Sequence, residues 1–219
     1  MESGRPRPVD PPRRSTLEEV GNAVTHGVGA LLSVIALFLM LGAAQSAGEY
    51  LGAVIYFLGL LSMFLFSCLY HSFRHGLAVK RLLRRFDYSS IYIVIGATFA
   101  PIVLAYTELS FGRLFFVLQW SVIALGVILT AVLGPARLRF VSVPIYLLLG
   151  WCGLMFLPEM YSRADYTLMS LVLGGGVIYS LGLIPYARRS PAAHFIWHIF
   201  VLLGAIVQWL GIYLSIYLK

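Results

Sequence analysis

Seven separate stretches of this chain are each about 20 or more residues long and almost wholly apolar. A run of ~20 apolar residues in helical form matches the hydrocarbon thickness of a bilayer. Within that layer the backbone has no water to bond, so every run must close its hydrogen bonds internally as an α-helix. The expected limits are 17–45, 49–74, 87–107, 112–133, 139–158, 166–187 and 191–217. All connections are short except 75–86, which leaves 17–219 as a single domain. The fold class is therefore an all-α membrane protein, a seven-transmembrane-helix bundle whose sequence neighbours run antiparallel. Only 11% of residues are charged against 60% hydrophobic, which excludes a soluble bundle of the same length.

Residues 1–16 differ in kind. They carry four prolines, with Arg5, Arg7, Arg13 and Arg14, and almost nothing apolar, so they are expected to form a disordered tail. A full-length span follows at once, which argues against a cleaved signal peptide.

The distribution of Lys and Arg orients the bundle. Thirteen of the 16 fall on one side: the tail group, Arg74, Lys80, Arg81, Arg84 and Arg85, then Arg137 and Arg139, and finally Arg188 and Arg189. Arg113, Arg163 and Lys219 fall on the other. By the positive-inside rule the N-terminus is cytoplasmic and the C-terminus outside. The net charge of +7 thus expresses topology, and no nucleic-acid partner is expected. The expected location is a plasma membrane of bacterial type, crossed many times.

With that orientation, polar side chains from four spans meet near the cytoplasmic boundary. The seventh span opens Ser190-Pro191-Ala192-Ala193-His194, with His198 one turn on. Pro191 suits a first helical position and Ser190 the cap before it. His194 and His198 then share a face, at a spacing from which two imidazoles can hold one metal ion. Histidines inside a membrane segment are costly and point to function. The second span ends with Ser67 and His71 at the same spacing, the third begins at Asp87, and the first carries Glu18, Asn22 and His26. Glu49, Glu108, Glu159 and Asp165, at the opposite end, read as solvated loop charges, and His75 reads as a solvated loop histidine.

Each residue also has a plainer use. Asp87 suits a helix cap, Ser67 a bond to its own helix carbonyl, and Ser15-x-x-Glu18 a capping box. Asn22 suits interhelical bonding, and Cys68 and Cys152 suit small buried hydrophobes. His26 is a candidate second-layer partner or fourth ligand, and Cys68, three residues before His71, is another candidate for that position. Three imidazoles with one open position make the ligand set of a catalytic zinc site, in which the ion activates water and polarises a carbonyl. Asp87 would orient or deprotonate that water, and Ser67 would support Asp87 or the developing oxyanion.

The pattern Glu18-x3-Asn22-x2-Thr25-His26, then Ser67-x3-His71, Asp87 and His194-x3-His198, resembles the hemolysin III family. That family belongs to the progestin and adipoQ receptor superfamily, grouped with the alkaline ceramidases, and the resemblance runs from Leu17 to the C-terminus. It implies a seven-helix bundle with a cytoplasmic N-terminus. It also implies zinc held by His71, His194 and His198, with Asp87 and Ser67 beside the metal. For relatives of the ceramidase and adiponectin-receptor kind, the site is associated with hydrolysis of lipid amides. The expected function is thus a zinc-dependent intramembrane hydrolase of a lipid amide or ester, with membrane lipid as its substrate. The alternatives are a non-enzymatic regulator or receptor whose zinc is structural, and an ion or proton pathway.

Overall fold

The computed structural model describes residues 11–106, 109–163, 165–188, 190 and 192–218. Tail residues Arg5 and Arg7, together with Glu108, Arg189, Pro191 and Lys219, lie outside these. Eight α-helices build the described fold: α1 Thr16–Ala43, α2 Ala47–Ser72, α3 Ala78–Tyr106, α4 Leu109–Leu133, α5 Pro135–Trp151, α6 Leu157–Ser162, α7 Tyr166–Ala187 and α8 Ala193–Ile212. Seven spans are long and apolar enough to cross a membrane, with α5 and α6 forming one of them together. The protein is an integral, multi-pass membrane protein.

The third span starts nine residues earlier than expected. The segment that reads as a basic loop is mostly the first two turns of α3, because Leu, Lys and Arg are good helix formers and the charge that bars Lys and Arg from lipid does not bar them from a helix. Asp87 consequently lies well inside a helix, which removes its reading as a cap. The fifth span extends from Pro135 to Ser162, beyond the expected 139–158 at both ends. Its middle tightens to a 3₁₀ turn over Cys152–Phe156. Pro158 offers no N–H to the carbonyl of Leu154, and the N–H of Leu157 bonds there instead. The last helix begins at Ala193 rather than at residue 191. Ser190 does not cap it: its carbonyl accepts the Ala193 N–H at 3.2 Å in a turn, and Ala192 is left-handed at φ 60°. The chain closes in a π-helical turn, Tyr213–Tyr217.

About two-thirds of the α3 span is buried, more than of any other, and α3 packs against α2, α4, α5 and α8. The ring closes through α1, which lies between α2 and α8, and through α7 on α8. Leu31, Ile35 and Phe38 of α1 stay exposed, as an outward face turned to lipid should. The apolar core, with Tyr56, Phe64, Phe99, Ile102 and Phe156, fills the middle of the bundle. At the end opposite the basic residues, Asp165 is not a free loop charge. It caps α7 through the Leu168 N–H at 2.9 Å and accepts the Ser215 hydroxyl at 2.8 Å. Glu159 does stay at the surface, paired with Arg163 at 2.8 Å.

Close helix approach depends on glycine. In the Gly174–Gly176 run, Gly175 is the critical one, because a Cβ there would lie 2.9 Å from the Gly204 carbonyl oxygen of α8. Backbone would have to move to admit it. Gly175→Val is expected to destabilise the bundle by about 1–3 kcal/mol, while Gly174→Val, with its nearest neighbour 3.9 Å away, should cost far less. Thermal unfolding in detergent measures the difference.

Candidate metal centre

The buried histidines gather at the basic end together with other polar groups. Asn22, His26, Ser67, His71, Lys80 and His198 are all at most 4% exposed. His71 comes from the last turn of α2, and His194 and His198 from the first two turns of α8. Because α1, α2, α3 and α8 adjoin, these turns meet at one depth. One nitrogen from each of the three rings lies within 4.8 Å of the other two. His194 Nε2 and His198 Nε2 are 3.2 Å apart, close to the roughly 3.3 Å that two nitrogens span on a tetrahedral zinc.

The pattern of satisfied and unsatisfied nitrogens tests whether a metal fits. His71 Nδ1 donates to Glu19 Oε2 at 2.5 Å, with the Asn22 amide 3.4 Å from the same nitrogen. That bond places the ring proton outward and leaves Nε2 as a bare lone pair, which has no partner among the described residues. A buried acceptor without a partner is expensive, and a cation held jointly with the α8 histidines would satisfy it. The donor set of three imidazoles, one supported by a carboxylate, fits a d-block ion such as zinc.

Other expected participants fall into place or out of it. Ser67 is buried on α2 and faces the same cavity as Asp87 of α3. That cavity, of about 180 Å³, also takes in His26, His194 and His198. The cavity continues along α8 to Gln208, fourteen positions past His194 or about 21 Å, between walls such as Ile95, Leu173 and Val201. His26 stacks on His198, ring centroids 3.8 Å apart, but is not one of the three clustered donors. Cys68 is no fourth ligand; its sulfur lies where a Cβ on Gly27 of α1 would be 3.4 Å away. Ser15 caps α1 as the motif suggests, accepting the Glu18 N–H at 3.2 Å, while the Glu18 carboxylate pairs with Arg14 at 3.0 Å. The carboxylate that reaches His71 belongs to the next residue, Glu19. His75, expected to be solvated, bonds through Nε2 to the Pro11 carbonyl at 2.8 Å.

The model of the haemolysin III-related family matches residues 14–209, which takes in every residue of this cluster. The chain belongs to that family. It is 36% identical to the hemolysin-3 homolog of Bacillus subtilis, over 86% of this chain and 89% of the relative. It is 33% identical to hemolysin-3 of Bacillus cereus, over 86% and 87%. The human monocyte to macrophage differentiation factor is 27% identical over 91% of this chain and 85% of its own. This haemolysin III-related chain thus matches relatives in bacteria and animals along nearly its whole length, as membership of the wider progestin and adipoQ receptor superfamily implies.

Proposed function

We propose that this chain is a zinc-dependent intramembrane hydrolase of a lipid amide or ester, working at the cytoplasmic side of a bacterial plasma membrane. The observation that carries the reading is a cluster of three histidine nitrogens, two of whose residues, His194 and His198, line a long and mostly apolar cavity together with Asp87 and Ser67. A zinc ion held by His71, His194 and His198 would supply a Lewis acid and a water that ionises near neutral pH.

The chain's own residues account for the rest. The apolar walls from Val201 to Gln208 accept an acyl chain and exclude water. That chain, once seated, directs its head-group linkage toward the histidine cluster. Asp87 accepts a proton from the attacking water and returns it to the leaving group. Ser67, on the same cavity wall as Asp87, offers a hydroxyl to that carboxyl or to the developing oxyanion. The buried histidines, with Asp87, concentrate at one end of the bundle, whereas a proton or ion pathway needs ionisable groups through its whole depth.

The test is a hydrolysis screen with purified protein in mixed micelles of ceramides, N-acyl amides and acyl esters. Fatty acid should be released from at least one class, and chelation should abolish the release. Tightly bound metal with no turnover on any lipid would favour the regulator reading, in which the metal ties α2 to α8. Complementation then separates the two readings, because a regulator tolerates Asp87→Asn and a hydrolase does not.

A further inference from the structure

We infer that Glu19 and Lys80 form the device that aims His71 at the metal position; the inference rests on the metal reading of the site. Lys80 is 1% exposed although it sits near the membrane boundary, where a lysine ordinarily extends its ammonium to water. Here it folds inward. Nζ donates to Glu19 Oε1 at 2.8 Å and to the Phe73 carbonyl at 2.8 Å, and it lies 4.9 Å from the centre of the Tyr70 ring. Burying an ammonium is costly unless it is paired, and these contacts compensate it.

Glu19 spends its two oxygens differently. Oε1 takes Lys80, and Oε2 takes His71 Nδ1. The carboxylate is thus fixed by α3 on one side and fixes a ring of α2 on the other. His71 gains from such a tether, since it stands in the last turn of its helix, where helices fray. A Glu–Lys pair serving stability alone would not require a bond to the outer nitrogen of a ring whose inner nitrogen faces two other imidazoles. The arrangement orients the ring and sets its tautomer, and partners of this kind typically change metal affinity by 10–100-fold. Glu19 and Lys80 are positioning residues, with Lys80 acting through Glu19.

The test is zinc affinity of the full chain in detergent, by competition with a chromophoric chelator, alongside thermal unfolding of the metal-free protein. Glu19→Ala should weaken zinc binding by about 10–100-fold. Glu19→Gln keeps an acceptor for His71 and should recover part of the loss. Lys80→Met should weaken binding by less, and Glu19→Ala with Lys80→Met should be no weaker than Glu19→Ala alone, because one residue works through the other. A folded Glu19→Ala protein within twofold of the parent affinity overturns the inference, as do fully additive losses in the double variant. If Glu19→Ala fails to fold, Lys80→Met decides: unchanged affinity overturns the inference and weakened affinity supports it. A parent protein that binds no zinc overturns this inference and the proposed function together; a parent that binds zinc regardless of Glu19 overturns this one alone.

Discussion

His198→Ala is expected to leave the purified protein nearly free of metal. Zinc held by four protein ligands contributes on the order of 10–16 kcal/mol, so one nitrogen donor accounts for roughly 3–4 kcal/mol, or about 10²–10³-fold in affinity. His198 is also the hardest of the three to replace. Its Nε2 lies 3.2 Å from His194 Nε2, and its ring stacks on His26, so no neighbour can swing in without unpacking α1. Metal content per chain by elemental analysis measures the loss. Cys68→Ser is the control that should retain full metal, since that sulfur packs against Gly27 and away from the cluster. His198→Ala should also lower the unfolding temperature, because an ion bound only by the folded state stabilises it by mass action.

Asp87→Asn should do the reverse: keep the metal and lose the reaction. The substitution preserves shape and removes the proton acceptor, and loss of a positioned general base typically costs 10²–10⁴-fold in rate. The residue lies nine positions inside α3, so the change does not remove a helix cap and folding should survive it. Lipid hydrolysis at saturating substrate, normalised to bound metal, reads the effect. A variant that retains metal and more than about a tenth of the parent rate would exclude Asp87 as the base. Ser67→Ala, which removes only a hydroxyl that shares the cavity wall with Asp87, should cost much less.

The bundle was legible in the sequence because a bilayer imposes so strict a length and polarity on each span. So was the convergence of His71, His194, His198, Ser67 and Asp87, since orientation alone brings those span ends together. Two features were not legible, for physical reasons. Lys80 reads as one of five loop charges because hydropathy places a boundary where charge begins, while helix propensity carries α3 on through it. Glu19 was masked by Glu18, whose place in a capping motif drew the assignment. The helical phase held the missing signal. Seven residues at 100° each bring Glu19 within about 20° of His26, whereas Glu18 falls about 80° away. A residue that shares its face with buried Asn22 and His26 is the one aimed into the bundle.

X-ray absorption at the zinc edge of the purified chain tests the central claim most directly. Three nitrogen donors at about 2.0–2.1 Å and one further light atom are expected, with the nitrogen signal reduced in His194→Ala and His198→Ala. A sulfur shell at about 2.3 Å, or protein that carries no metal after purification in zinc-supplemented medium, would contradict it.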